Sequence, residues 1–348
     1  MSVLERIWFD ESLPARSARL VLAPPSWLYS SIVRLRGALF DQGLLHVHRA
    51  AVPVLSIGNL SVGGTGKTPL AAWAAERLRA AGAKPAVLLR GYGGDEPLVH
   101  ATLNPDIPVI ADPDRVAGAQ KALAAGADCA ILDDGFQHRR LARVADWVLI
   151  SAEHPPEPAR LLPAGPWREP TSALRRATIA IVTRKSASLE AASEVASRLA
   201  ATHGVDCAIV HLTPNDVVDA RDQRAIGLER MRGVRALVVS AIGAPAAFAA
   251  QVRDLGVAQC DTLTFRDHHR FTEADITRIV RAGARADVVV CTLKDAVKLA
   301  PLWPRAALPL WYVSQRAEVE RGEQLLAATL SSVMSARASS TSTAGAAG

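Results

Sequence analysis

The sequence predicts an α/β fold: a P-loop NTPase-like, doubly wound, mostly parallel sheet, followed by a second, smaller α/β domain. Three observations carry this. Short β-branched and Leu-rich runs alternate with Ala-rich helical stretches. The runs are apolar throughout rather than alternating, as in parallel strands covered on both faces. A glycine-rich turn joins the first strand to the first helix after it, at SIGNLSVGGTGKTPL.

VPVLSI (52–57) reads as the first strand, and KTPLAAWAAERLRAAG as the helix beyond the glycine turn. AVLLR (86–90) and IPVI (107–110) follow as strands, then a helix from Pro113 through DRVAGAQKALAAGA. CAILDD (129–134), WVLI (147–150) and IAIVT (179–183) continue the sheet. The charged, poorly periodic stretch DARDQRAIGLERMRG marks a domain boundary near 225. Beyond it come RALVVS (235–240), a helix through APAAFAAQVRDLG, a short strand before Phe265, a helix from Thr272 and VVVCT (288–292). A last helix is expected from Ala317 to about Met334. The low-complexity tail at 336–348 reads as disordered. The expected domains are thus 1–50, 51–225 and 226–335.

With 348 residues the chain is long enough for two domains. It is 49% hydrophobic and 21% charged, the balance of a soluble globular protein. A net charge of +6 suits an anionic partner, whether nucleotide, nucleic acid or acidic membrane face. Basic residues interleaved with aromatics do not recur outside the N-terminal segment, so no nucleic-acid partner is expected. Cys129, Cys207, Cys260 and Cys291 form no C-x-x-C pair and read as reduced, mostly buried thiols. The N-terminus lacks a basic region followed by an apolar one, so it does not read as a secretory signal. Its longest uncharged run, Leu20–Val33, is too short for a spanning helix of about 20 residues.

The loop Ser61, Val62, Gly63, Gly64, Thr65, Gly66, Lys67, Thr68 is a candidate nucleotide site. Glycines let backbone N–H groups close round phosphate oxygens, and the following helix N-terminus favours negative charge. Lys67 can reach the β- and γ-phosphates of ATP, and the Thr68 hydroxyl can ligate Mg²⁺. The strict pattern has Gly where this chain has Ser61. Asp133 and Asp134 end an apolar strand, where P-loop proteins hold Mg²⁺ directly or through water. An Asp-Asp-Gly turn fits the same residues.

At this point the sequence resembles the tetraacyldisaccharide 4′-kinases, which phosphorylate the lipid A precursor. The matching stretches are SWLYSSIVRLRGALFDQGLL, VPVLSIGNLSVGGTGKTP, LLRGYGG, GDEP, DRVAGA, LDDGFQHRRLAR, LLPAGPWREP, SAIGAPAAF, FRDHHRFT and TLKDAVKL. They run in the family's order from about residue 14 to 300. The resemblance implies transfer of the ATP γ-phosphoryl, with Mg²⁺, to the 4′-hydroxyl of tetraacyldisaccharide 1-phosphate, forming lipid IVA. It implies that Asp95 and His268 together act as the base on that hydroxyl. Read alone, Asp95 also fits a turn cap and His268 a surface position. Arg168 and Glu169 correspond to positions near the active site, Arg115 of the DRVAGA block could meet a phosphate, and Gln137 and His138 of the LDDGFQH block are candidates for substrate or active-site support. Lys294 and Asp295 correspond to support of the interdomain cleft, and a salt-bridged structural role fits them equally. Two departures stand out: GYGG and GDEP are fused, and Leu293 stands where the family has Glu.

A lipid substrate implies a membrane surface, here the cytoplasmic face of the inner membrane, met peripherally or monotopically. Between Arg16 and Arg49 the charges are Arg16, Arg19, Arg34, Arg36 and Arg49 against Asp41 alone. A helix over Trp27–Leu39 would place Leu28, Ile32, Leu35 and Leu39 on one face, with Tyr29, Val33 and Phe40 flanking it. The same pattern fits a helix packed on the protein's own core. Two other functions share the nucleotide loop: a P-loop kinase or ligase acting on a soluble metabolite, and a nucleotide-dependent switch. Neither needs the basic, apolar N-terminus or the Asp/His pair.

Overall fold

The computed structural model describes residues 3–91, 94–155 and 159–345. Three helices come first: α1 (Val3–Phe9), α2 (Leu13–Val21) and α3 (Ala23–Asp41). Strand β1 (Val54–Asn59) then leads through the glycine loop into α4 (Lys67–Ala80). The chain continues through β2 (Pro85–Leu89), α5 (Glu96–Leu103), β3 (Val109–Ala111), α6 (Arg115–Ala124), β4 (Cys129–Asp133), β5 (Ala145–Ser151), β6 (Ile179–Arg184), α7 (Leu189–His203) and β7 (Cys207–Asp219). Next are β8 (Arg235–Ser240), α8 (Pro245–Asp254), β9 (Gln259–Thr264), α9 (Glu273–Ala282), β10 (Val288–Thr292) and α10 (Leu293–Leu299). Strand β11 (Leu310–Arg321) and helix α11 (Glu323–Gly345) finish the chain.

The chain divides into two compact units. Among the described residues the smaller holds 94–99 and 213–316, and the larger holds the rest. The division therefore falls near 213, not 225, and cuts within β7, because that strand runs on through Asp219. Residues 94–99, which the sequence placed with the nucleotide-binding domain, belong to the smaller unit.

Strand order in the larger unit is β3-β2-β4-β1-β5-β6-β7, with parallel pairing wherever a register is defined. β1 lies between β4 and β5, so the order reverses beside it. Loops beyond the carboxyl ends of strands at such a reversal form a natural ligand crevice. The central strands are buried on both faces, as continuous apolar runs predict. Leu70, Ala71, Ala74, Ala75 and Leu78 of α4 pack with Leu55, Ile57, Val87, Ile131 and Trp147 of the sheet. In the smaller unit the order is β11-β10-β8-β9, again parallel, with Val238, Val288 and Val290 packed on Phe248 and Val252 of α8.

Polar side chains set the helix starts. Asp114 accepts from the Val116 N–H at α6, and Ser188 from the Ala191 N–H at α7. Thr272 and Asp275 form a capping box at α9.

One element differs from expectation at its start. The stretch from Ala317 is not helical; it ends the 12-residue strand β11. Helix begins only after Gly322, which sits at φ +79 with an added Cβ 2.9 Å from the Ala208 Cα and so tolerates no side chain. The helix then runs through Gly345, across residues expected to be disordered; residues 346–348 lie outside the described ones.

Candidate active site

The nucleotide loop is built by local geometry and cross-bracing. Gly66 caps α4 at φ +89, and a Cβ there would come 2.2 Å from the Leu212 Cδ1. Only glycine fits. The Asn59 amide donates to the Thr65 hydroxyl (2.9 Å), and Thr183 donates to the Thr65 carbonyl (2.9 Å). Lys185 donates to the Gly64 carbonyl (3.0 Å), and the Val62 N–H to the Pro166 carbonyl (2.7 Å). Ser61 bridges Trp167, so the residue that departs from the strict pattern is tied to the PWREP segment. Gly63, Gly64 and Val62 remain exposed, with the loop's backbone accessible to a ligand.

Asp133 and Asp134 end β4 beside this loop but have different partners. Thr68 donates its hydroxyl proton to Asp133 Oδ2 (3.0 Å), while Oδ1 is buried without a hydrogen-bond partner. Asp134, at φ +58, lies 3.5 Å from the Lys67 ammonium and takes a two-pronged contact from Arg168 (2.9 and 3.0 Å). Burial would raise the Asp134 carboxyl, but Lys67 and Arg168 outweigh it and hold it well below the usual carboxylate range. Arg168 also donates to the Ser61 carbonyl (3.2 Å) and to the Asn59 side-chain oxygen. One guanidinium thus joins the end of β1, the loop and the end of β4.

The other expected residues of this region stand in the same unit. Glu169 is buried against Arg176 (2.7 Å), whose guanidinium lies over the Phe136 ring. Gln137 donates to the Asn59 carbonyl (2.9 Å), leaving its Oε1 buried and unpartnered. His138 has a buried, unpartnered Nε2, and burial with Arg115 and Arg140 nearby lowers its pKa to about 4. Burial also lowers the Arg115 pKa, against the pull of Asp134, and its Nε has no partner. Buried polar groups are ordinarily satisfied. Gln137, His138 and Arg115 depart from that rule.

The smaller unit assembles the second expected pair. Asp95 precedes α5, and its carbonyl accepts from the Val99 N–H (3.0 Å). Its carboxylate is buried, with Oδ2 3.2 Å from His268 Nδ1 and 3.8 Å from the Lys298 ammonium. His268 is held at φ +56, where its N–H reaches the Ala241 carbonyl (3.2 Å). A left-handed histidine is uncommon and points to an imposed orientation. His269 faces away to Asp275 (3.0 Å). Asp295 is fully buried, accepting from the Ala241 N–H and the Thr292 hydroxyl, and burial raises its pKa. Lys294 lies 3.9 Å from Glu96. Gly93 of the fused GYGGDEP lies outside the described residues.

Sequence reading missed His100, Asn59, Lys185 and Lys298. Asn59 lies in the glycine-loop stretch with its partner Thr65, and Lys298 in TLKDAVKL with Asp295, but neither residue type marks a role there. His100 and Lys185 have partners 33 and 121 residues away, which only the folded chain reveals.

The family model for tetraacyldisaccharide-1-P 4′-kinase matches residues 18–94 and 93–335. The chain belongs to this family. It is therefore a kinase. A tetraacyldisaccharide 4′-kinase of Anaeromyxobacter sp. (strain Fw109-5) is 42% identical over 368 positions, covering 96% of this chain and 97% of that one. Another, of Halorhodospira halophila, is 37% identical over 342 positions, covering 92% and 94%. A crystal structure of LpxK from Aquifex aeolicus in complex with ATP superposes with a TM-score of 0.72 at 26% identity, over 91% of this chain and 99% of that one. The first alignment is longer than the chain itself, and the family model breaks at residues 93–94, where GYGG and GDEP are fused.

Proposed function

We propose that the chain transfers the γ-phosphoryl of ATP to the 4′-hydroxyl of tetraacyldisaccharide 1-phosphate, with Mg²⁺, at the cytoplasmic surface of the inner membrane. The Asp95–His268 contact carries this reading, because family membership names an alcohol acceptor and a sugar hydroxyl needs a base. Asp95 Oδ2 accepts from the Nδ1–H of His268, which fixes the tautomer and leaves Nε2 to take the 4′-hydroxyl proton. The new bond joins the 4′-oxygen to the γ-phosphorus, the bond from that phosphorus to the β–γ bridging oxygen breaks, and ADP leaves. Loop backbone amides and Lys67 hold the phosphates.

The residues present fit Mg²⁺. The unpartnered Asp133 Oδ1 and the Thr68 hydroxyl are hard oxygen donors at the end of β4. Mg²⁺ would neutralise charge on the transferring group. Asp134, already engaged by two cations, holds Lys67 and Arg168.

The membrane reading rests on α2 and α3. Tyr29 donates to the Arg168 carbonyl and Phe40 is buried between Arg36 and Arg139, so one side of α3 is docked. Leu39 joins that docked side as half-buried. Trp27, Leu28, Ile32 and Leu35 are 57–70% exposed, as are Leu13, Leu20 and Val21 to a greater degree. A core-packed helix would have covered them. Such a face with nearby Arg suits the headgroup region. Among the described residues, no helix is long and apolar enough to cross a membrane.

The deciding assay supplies ATP, Mg²⁺ and tetraacyldisaccharide 1-phosphate and seeks a bis-phosphorylated product by mass spectrometry. Folded protein yielding none removes the proposal. For the membrane, Leu28→Asp with Ile32→Asp and Leu35→Asp should abolish sedimentation with anionic vesicles while the ATP Kd stays constant. Unchanged sedimentation rejects the helix as the contact.

A further inference from the structure

His100 lies in the last turn of α5, among the apolar residues of PLVHATL. Its side chain is 1% exposed, and its Nε2 lies 2.8 Å from Asp133 Oδ2. A histidine buried so deeply needs a polar partner, and here only Nε2 has one; Nδ1 is buried without any. The proton therefore sits on Nε2, since the other tautomer would face two lone pairs.

The same Oδ2 also accepts the Thr68 hydroxyl proton. One oxygen of Asp133 thus carries two donors and the other, Oδ1, carries none. A carboxylate can rotate about its last torsion and present either oxygen. Two fixed donors on Oδ2 remove that freedom. They also draw the Thr68 proton away, so that the hydroxyl's lone pairs are free for a cation. Outer partners of this kind orient metal ligands.

We propose that His100 is a positioning residue for the metal-binding carboxylate: it pins Asp133 by Oδ2 and so commits Oδ1 to the cation. The inference rests on the reading of Asp133 and Thr68 as metal ligands. No P-loop motif calls for a histidine at this place, and its partner is 33 residues away in sequence.

The test compares the full-length chain with His100→Leu and His100→Gln. Leu fills the space without a donor, whereas Gln restores an N–H near the position of Nε2. Metal affinity is measured with Mn²⁺ by electron paramagnetic resonance in the presence of ADP, and ADP affinity is measured without metal. His100→Leu should bind Mn²⁺ about 10–100-fold more weakly. Its metal-free ADP affinity should match wild type, and His100→Gln should recover most of the metal affinity. Wild-type Mn²⁺ affinity in His100→Leu overturns the inference. Equal losses in both variants, or a parallel loss of metal-free ADP binding, also overturn it, since packing alone would then explain His100. A wild-type chain showing no Mn²⁺ binding with ADP overturns the metal reading beneath it, a result distinct from the others.

Discussion

Two histidine–aspartate pairs, one in each compact unit, differ in which partner meets solvent. In His100–Asp133 both side chains are buried, at 1% and 7% exposure. In His268–Asp95 the aspartate is at 2% and the histidine at 44%. A histidine sealed on all sides can only donate to its partner and hold it still. One that is half exposed can exchange a proton with whatever binds there. In the proposed roles, burial rather than residue type separates the positioning pair from the reacting pair. Each is anchored by a second group: the Thr68 hydroxyl on Asp133 and the Lys298 ammonium near Asp95.

The sharpest way to break this contrast is His268→Ala. If that imidazole takes the proton, kcat should fall by about 10²–10⁴ with little change in ATP affinity. A loss below tenfold in a steady-state assay returns it to an ordinary surface residue. Asp95→Asn keeps the shape but offers His268 an amide that no longer selects its tautomer, and kcat should fall by about 10². Full activity there would make the contact incidental. Replacing Lys298 with Met leaves the dyad in contact but removes the cation 3.8 Å from Asp95. A loss of about tenfold, near one kcal-scale charge-assisted interaction, is expected in kcat. The smallest effect belongs to His269→Ala. That ring is bonded to Asp275 and stacked on Phe265. Turnover should hold while thermal unfolding shows a stability loss of about 1 kcal/mol. A collapse of turnover instead would mean the wrong histidine of the DHH run has been assigned.

The candidate phosphate-binding residues could be read from the sequence because they are contiguous. Ser61–Thr68 carries its own turn glycines, lysine and helix start, and Asp133 ends a strand plain from its apolar run. Asp95 and His268 are 173 residues apart. No local pattern relates them, and only resemblance to a family paired them before the fold did. His100 was invisible, being a lone histidine on an apolar helix whose partner comes from tertiary packing. The stretch from Ala317 misled because AEVERGEQLL carries helix-forming charges on both sides of Gly322, and the left-handed turn at that glycine is not evident from composition. The exposed row on α3 was visible as a pattern. Whether protein or solvent faced it required the docked side, which Tyr29 and Phe40 define.

Helix α5 has a consequence for length variation among related chains. Asp95 stands immediately before it and His100 in its final turn, so both are set by one short run of residues. Each residue added or lost within an α-helix turns everything downstream by about 100° about its axis. A single-codon insertion between Pro97 and Val99 would therefore swing the imidazole at position 100 off Asp133 while leaving Asp95 in place. The family model's two matches meet at residues 93–94, and an insertion there would lie before the helix and leave its phase undisturbed. Length should drift freely on that side of Asp95 and be locked on the other.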